Sequence, residues 1–94
     1  MSVARTILSQ IKAIDPTALF AWGSRDLIDM GDGLKFKASG MTRWKGYVYV
    51  KYDRGSDLYN IDFFRIRQSE VIYDKQVTGV FADQLVDIID TQVG

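Results

Sequence analysis

Apolar and charged residues alternate in the middle of the sequence, and this period of two constrains the fold more than any other feature. Leu34, Phe36 and Ala38 alternate with Lys35 and Lys37, as in a strand with one buried and one solvated face. Because short turn-rich connections join the apolar segments, we predict a meander of four or five strands, with residues 26–30 forming either a strand or a loop. The other segments that we interpret as strands are residues 19–22, 47–52, 58–67 and 71–73.

Amphipathic helices are predicted before and after these strands. The first helix begins after Ser2, whose hydroxyl can cap it, and ends at Asp15-Pro16, because the residue before a proline is disfavoured in the α region. Thr78 can cap the second helix. The apolar faces consist of Val3, Ile7, Leu8, Ile11 and Ile14 in the first helix and of Phe81, Leu85, Ile88 and Ile89 in the second.

The sequence therefore predicts an α+β fold with an N-terminal helix, a four- to five-stranded mostly antiparallel meander sheet and a C-terminal amphipathic helix. A chain of 94 residues is too short to build two cores, so residues 1–94 are expected to form a single domain. Both helices would cover one face of the sheet. The other face would then be solvated, covered by a partner or used for binding.

The predicted strand at residues 58–67 changes its pattern part-way. Tyr59, Ile61 and Phe63 would share one face, whereas Phe64 and Ile66 would lie on the other. Either both faces are covered at this point, or a bulge between Phe63 and Phe64 changes the register.

Missing residue types exclude several kinds of chemistry. The chain has no cysteine and no histidine, so it lacks a thiolate nucleophile, an imidazole base and the usual zinc ligands. Gly31-Asp32-Gly33 does not extend to a dinucleotide-binding motif, because Phe36 stands where a third glycine is needed. We therefore expect a protein that is not an enzyme and that uses no metal or cofactor.

No targeting signal and no apolar stretch of about 20 residues occurs, so we expect a cytoplasmic location and no membrane partner.

Aspartates flank several predicted turns and offer oxygen ligands for a hard cation. Their spacing does not match that of a calcium-binding loop, and the preference of aspartate for turns explains their positions. These residues are Asp29, Asp32, Asp53, Asp57 and Asp62.

The net charge of zero conceals an uneven distribution. Residues 35–67 contain eight basic and three acidic side chains, which gives a net charge of +5. Residues 68–94 contain one basic and five acidic side chains, a net charge of −4, and residues 1–34 contribute −1. The basic segment also holds eight of the twelve aromatic residues. Local attraction for an anionic ligand is therefore compatible with the neutral total.

Basic groups interleaved with aromatic rings on a sheet are typical of surfaces that bind single-stranded nucleic acid, because cations contact phosphates and rings stack on bases. The alternative interpretation is structural, since sheets are normally rich in tyrosine and phenylalanine and carry lysines on their solvated face. Under the first hypothesis the phosphate contacts are Lys35, Lys37, Arg43, Lys45 and Lys51, and the stacking residues are Trp44, Tyr47 and Tyr49.

An acidic stripe at helical spacing offers a second candidate surface. It consists of Asp83, Asp87 and Asp90, of which the last two are expected near the C-terminal end of the helix, where negative charge is unfavourable. The stripe is either a solvated helix face or the binding surface for a protein partner with a basic groove. The alternative function is therefore a protein-interaction module, such as an inhibitor of a host defence or replication protein. A homodimer is compatible with both functions, because an open sheet leaves edges that can pair.

Short motifs along most of the chain resemble a family of small uncharacterised proteins of phages, plasmids and related mobile elements. The motifs are Ala21-Trp22-Gly23, the segments 33–37, 57–63 and 65–67, and the segment 80–85 near the end. This resemblance implies a phage or mobile-element origin and brings no established activity or site residues. The architecture also resembles the single-stranded DNA-binding domains of the transcriptional-coactivator and whirly type. That second resemblance implies a dimer that lays nucleic acid across its sheet.

Overall fold

Five antiparallel strands pair in chain order in the computed structural model, which describes residues 2–39 and 44–93. The strands are β1 (Ser24–Asp29), β2 (Gly33–Ala38), β3 (Gly46–Asp53), β4 (Leu58–Arg67) and β5 (Glu70–Val80). The helical elements are α1 (Val3–Ile14), α2 (Ala18–Ala21), a 3-10 turn (Ala82–Gln84) and α3 (Leu85–Val93). The predicted α+β class and its order of helix, meander sheet and helix are confirmed. No helix in the described ranges has the length and apolar character needed to span a bilayer.

Helix α1 begins and ends where the sequence predicts. The Ser2 hydroxyl accepts a hydrogen bond from the backbone amide of Arg5 at 3.1 Å, which satisfies one of the free amides of the first turn. The helix ends before Pro16, and the amide of Asp15 donates to the Ile11 carbonyl at 3.0 Å. The predicted apolar stripe is buried at Ile7 and Ile11.

The segment 19–22, predicted as a strand, instead belongs to the short helix α2 and its C-terminal cap. The Asp15 carboxylate accepts hydrogen bonds from both the amide and the hydroxyl of Thr17, at 2.9 and 2.7 Å, and this local turn directs the chain into α2. Gly23 follows with a φ of +61°, a conformation that ends the helix and favours glycine. The helical turn places Trp22 in the core with 1% of its surface exposed.

All helices pack against the same face of the sheet. At the centre of this interface Trp22 stacks on Phe36, with ring centroids 6.1 Å apart and planes 3° apart. The side chains of this core come from Ile7 and Ile11 of α1, from Leu85 and Ile89 of α3, and from Phe36, Val48, Val50, Ile61 and Phe63 of the sheet. The opposite face of the sheet is covered by none of the described elements, and we call it the open face.

A bulge lies at the predicted position beside Phe63 and Phe64, but in the partner strand, so the predicted change of register within β4 is not observed. Phe63 pairs with Lys75 and Phe64 pairs with Tyr73, so Asp74 is the additional residue. The bulge therefore lies in β5, and β4 continues its alternation, with Phe63 buried and Phe64 half-buried on the open face.

Two details of the predicted C-terminal helix are wrong. Thr78 does not cap it, because β5 continues to Val80, which is buried and pairs with Tyr59. Phe81 does not contribute to its apolar face. It precedes the 3-10 turn and is 59% exposed. The buried face of α3 consists of Leu85, Val86, Ile89 and Val93.

We predict that replacing Phe36 with alanine lowers the free energy of unfolding by about 3–5 kcal/mol, because it leaves a cavity beneath Trp22. The matched control is Phe20→Ala on α2, where the ring is 89% exposed and the expected change is within about 0.5 kcal/mol. Chemical denaturation measures both values. Equal losses in the two variants would contradict the assignment of Phe36 to the centre of the core.

Candidate nucleic-acid interface

Five of the eight predicted contact residues lie together on the open face. Lys35 and Lys37 project from β2, and Tyr47, Tyr49 and Lys51 project from β3, all of them half-buried. They alternate with the buried residues of the same strands, so the pleat itself turns them away from the helices. The predicted face shared by Tyr47, Tyr49 and Lys51 is thus found in the structure.

Direct cross-strand pairing extends this group into a line that crosses the whole sheet. Arg25 pairs with Lys37, and Lys37 pairs with Tyr47. Tyr47 in turn pairs with Phe64, and Phe64 pairs with Tyr73. Directly paired residues project from the same face. We call these five residues the cross-strand row; it carries two cations at the β1 end and three aromatic rings at the β5 end.

The aromatic half of the cross-strand row is continuous. Tyr47 stacks on Phe64, with centroids 5.3 Å apart and planes 16° apart. Phe64 contacts Tyr73 with centroids 5.8 Å apart and a tilt of 52°. Tyr73 is 56% exposed, so the row ends at the sheet edge in the ring that is most accessible to a ligand.

The lysines of the open face differ in how far their charges are already engaged. Lys51 forms an ion pair with Asp62, 2.8 Å from Nζ to Oδ2, and its Nζ lies 5.4 Å from the ring centre of Tyr49. Lys35 has its Nζ 5.6 Å from the ring centre of Tyr47 and forms no ion pair with any described residue. Lys35 is therefore better placed than Lys51 to contact an added phosphate.

The Tyr49 hydroxyl is held at the edge of the open face. It donates a hydrogen bond to the Asp32 carboxylate. Burial is the main reason that the pKa of Tyr49 is raised to about 12, and the hydrogen bond to Asp32 and the negative charges of Asp32 and Asp62 add to it. Tyr49 therefore stays neutral at physiological pH, and its hydroxyl already has an acceptor.

Trp44 lies on the side of the sheet that the helices cover, apart from Tyr47 and Tyr49. Its ring meets Phe63 edge-on, with centroids 5.9 Å apart, and it fills the space beside Gly46, where a Cβ atom would come within 2.6 Å of the ring. The position of Trp44 thus explains why residue 46 is a glycine. It also means that Trp44 does not lie on the same face as Tyr47 and Tyr49, the stacking residues with which it was predicted.

A carboxylate in the β5 bulge fixes the Trp44 indole. Asp74 Oδ2 accepts hydrogen bonds from Trp44 Nε1 at 2.7 Å and from Arg65 Nε at 2.6 Å. These two hydrogen bonds, the one from Arg65 above all, lower the pKa of Asp74 below its ordinary value of 3.8.

Of the remaining predicted contacts, Lys45 is exposed at the end of the sheet, and Arg43 lies outside the described residues.

The three aspartates of the predicted acidic stripe are exposed. The expectation that Asp87 lies near a helix C-terminus is wrong, because α3 begins at Leu85 and places Asp87 in the first turn, where negative charge is favourable. Asp83 lies in the 3-10 turn, and Asp90 accepts a hydrogen bond from Trp22 Nε1 at 3.1 Å. Asp87 and Asp90 thus each have a structural role.

The turn aspartates are engaged in local hydrogen bonds. Asp53 accepts from the amide of Gly55 at 3.1 Å and from the hydroxyl of Ser56 at 3.0 Å, and Asp29 accepts from the amide of Gly31 at 2.8 Å. Within residues 2–39 and 44–93, no three acidic side chains come together as a metal-binding group.

Register explains which residues of the interface the sequence pattern does not reveal. Arg25, Phe64 and Tyr73 belong to the cross-strand row, yet Arg25 and Tyr73 lie outside the basic aromatic segment from which the contacts were predicted. In the structure Arg25 pairs with Lys37 and Tyr73 pairs with Phe64, a register that the pattern within one strand does not specify.

Comparisons with protein-family models, curated proteins and solved structures found no match.

We predict that Tyr49 releases its proton late in a pH titration of the folded protein. Between pH 10.0 and about 12, folded Tyr49 keeps a proton that the unfolded chain releases, so the free energy of unfolding falls as pH rises through this window. The pKa values of Tyr52 and Tyr59 are also raised, so the tyrosinate absorbance of Tyr49 is identified as the component near pH 12 that is lost in Tyr49→Phe and titrates earlier in Asp32→Asn. An unchanged titration curve in Tyr49→Phe would contradict this assignment.

Proposed function

We propose that the protein binds single-stranded nucleic acid across the open face of its sheet, as a non-enzymatic accessory protein of a phage or other mobile element. The observation that carries the proposal is the cross-strand row, which joins two cations to three rings on a face that no described element covers. The motif resemblance in residues 21–23, 33–37 and 57–63 supports the proposed origin.

The aromatic half of the row would contact the bases. Base stacking on protein rings contributes about 1–3 kcal/mol per base and does not require a particular sequence. Tyr73 is exposed for such stacking, and Tyr47 becomes more accessible when Lys35 moves from its ring to a phosphate. This exchange is physically simple, because the lysine ammonium sits on a flexible stem.

The cationic half of the row would contact the phosphates. Arg25 and Lys37 form no ion pair with any described residue, so a phosphate would not have to displace a carboxylate. Four strand spacings of about 4.8 Å separate Arg25 from Tyr73, or roughly 19 Å. That span suits a short single strand that lies along the row.

Single strands are favoured over duplexes by the shape of the surface. The row lies on a sheet face and presents no helix or ribbon that could enter a major groove. Its rings can stack only on bases that are not already stacked within a duplex. The proposal therefore includes a preference for unpaired DNA or RNA.

We predict that charge and stacking variants of the row weaken oligonucleotide binding in different ways. Lys37→Gln should reduce the dependence of log K on log salt by about 0.7, the value expected for one lost phosphate contact on a single strand. Tyr73→Ala should weaken binding at least about fivefold with an unchanged salt dependence. Fluorescence anisotropy with a single-stranded oligonucleotide, titrated at several salt concentrations, measures both effects.

Matched controls lie on the helical side of the molecule. Lys12→Gln removes an exposed charge from α1, and Phe20→Ala removes an exposed ring from α2; both should bind like the parent protein. Binding that is absent at micromolar protein, or that responds equally to row and control variants, would reject the proposed function.

The alternative function, a protein-interaction module such as an inhibitor of a host defence or replication protein, is favoured by one observation. Phe81 is 59% exposed and stands two residues before the exposed Asp83, so an apolar anchor adjoins a negative charge. Under this alternative, Asp83, Asp87 and Asp90 would contact the partner, with Phe81 as an added apolar anchor. The edge strands β1 and β5 could pair a second copy.

A further inference from the structure

A cleft of about 440 Å³ opens beside the cationic half of the cross-strand row. It lies where the C-terminal ends of β2 and β4 meet the N-terminal end of β3. Among the residues that the structure describes, five basic residues and no acidic one line it: Arg25, Lys37, Lys45, Arg65 and Arg67. By contrast, two smaller clefts, of about 310 and 200 Å³, include Asp57 and Asp29 in their linings. We call the cleft of about 440 Å³ the basic cleft.

Most of the positive charge in the basic cleft has no ion-pair partner within residues 2–39 and 44–93. Arg65 is engaged by Asp74 through contacts of 2.6 and 2.9 Å. The other four cations form no ion pair with any residue in the described ranges. Arg67 stands opposite Glu70 in the register of β4 and β5, but the two side chains form no ion pair. Four unpaired cations around one concavity repel one another, and a bound anion would relieve this repulsion.

We infer that the basic cleft binds the terminal phosphate of the single strand that lies on the cross-strand row. This inference rests on the proposed function and assigns the end of the strand to a separate site. A terminal phosphate monoester carries about −1.5 to −2 charges at pH 7, whereas an internal phosphate carries −1. Two of the four cations, Arg25 and Lys37, also serve the row, and Lys45 and Arg67 add the charge that suits the more highly charged terminus.

The arginines and lysines that line the cleft would contact the phosphate oxygens. An arginine fork contacts two phosphate oxygens at once, and a lysine adds a mobile point charge. Ser39 also lines the cleft, but its hydroxyl already donates to the Gly23 carbonyl at 2.9 Å. Because Arg25, Lys37 and Tyr47 belong to both the cleft and the row, a strand can pass from one to the other without a gap.

The test compares three oligonucleotides of one sequence that carry a 5′-phosphate, a 3′-phosphate or hydroxyls at both ends. Isothermal titration calorimetry with the intact protein should show one phosphorylated strand binding at least about fivefold more tightly than the unphosphorylated strand, a gain typical of added charge-assisted hydrogen bonds. The strand that gains also shows which end occupies the cleft.

A variant of a residue that belongs to the cleft, but neither to the row nor to the predicted nucleic-acid contacts, separates this inference from the proposed function. Arg67→Gln should lower the preference for the phosphorylated strand and retain binding of the unphosphorylated one. The Arg67 side chain is exposed, so thermal unfolding should be unchanged. Lys12→Gln on α1 should keep the full preference.

The pH dependence supplies an independent readout. The preference should grow from pH 5.5 to pH 7, because the second pKa of a phosphate monoester is about 6, and the chain has no histidine or cysteine that titrates in this range. Equal binding of all three strands would overturn the assignment of the cleft and leave the proposed function standing. Binding of none of them would overturn both.

Discussion

Burial of apolar side chains on only one face of the sheet is the constraint on which the rest of the structure depends. Phe36, packed against Trp22, lies at the centre of that burial, and α1 and α3 close over the same side. Because strand residues alternate, every side chain between two buried ones must project from the opposite face. The open face therefore follows directly from how the core is built. It carries lysines and tyrosines together with Asp62, Phe64 and exposed aliphatic residues such as Ile66.

The distribution of carboxylates then decides which positive charges stay available. Asp62 pairs with Lys51, and Asp74 holds both Arg65 and Trp44. Other aspartates close turns or accept hydrogen bonds from tyrosines. The cations of the cross-strand row and most of those in the basic cleft have no such partner among the described residues. A chain with 12 basic and 12 acidic side chains can therefore present a locally cationic surface, because many of its acidic side chains are engaged elsewhere or lie away from that surface.

The features predicted well from the sequence are those set by neighbouring residues. Ser2 sets the start of α1 through a local hydrogen bond, and Pro16 sets its end through local sterics. The bounds of β4 are those of the predicted segment 58–67. Residues 19–22 were predicted wrongly because an apolar run of four residues has no measurable period. The place of Trp44 depends on Phe63 and Gly46, which meet it only after the sheet has formed. Membership of Arg25 and Tyr73 in the cross-strand row depends on long-range register, which the pattern within one strand does not specify.

We propose that the open face, and not the helical side, is the binding surface. Amide chemical-shift mapping during titration with a single-stranded oligonucleotide tests it most directly, because each strand and helix reports separately. We predict that the largest shifts occur along the cross-strand row, at Lys37, Tyr47 and Tyr73, with α1 and α3 nearly unchanged. Shifts concentrated at Asp83 and Asp87, with the row unaffected, would contradict this proposal.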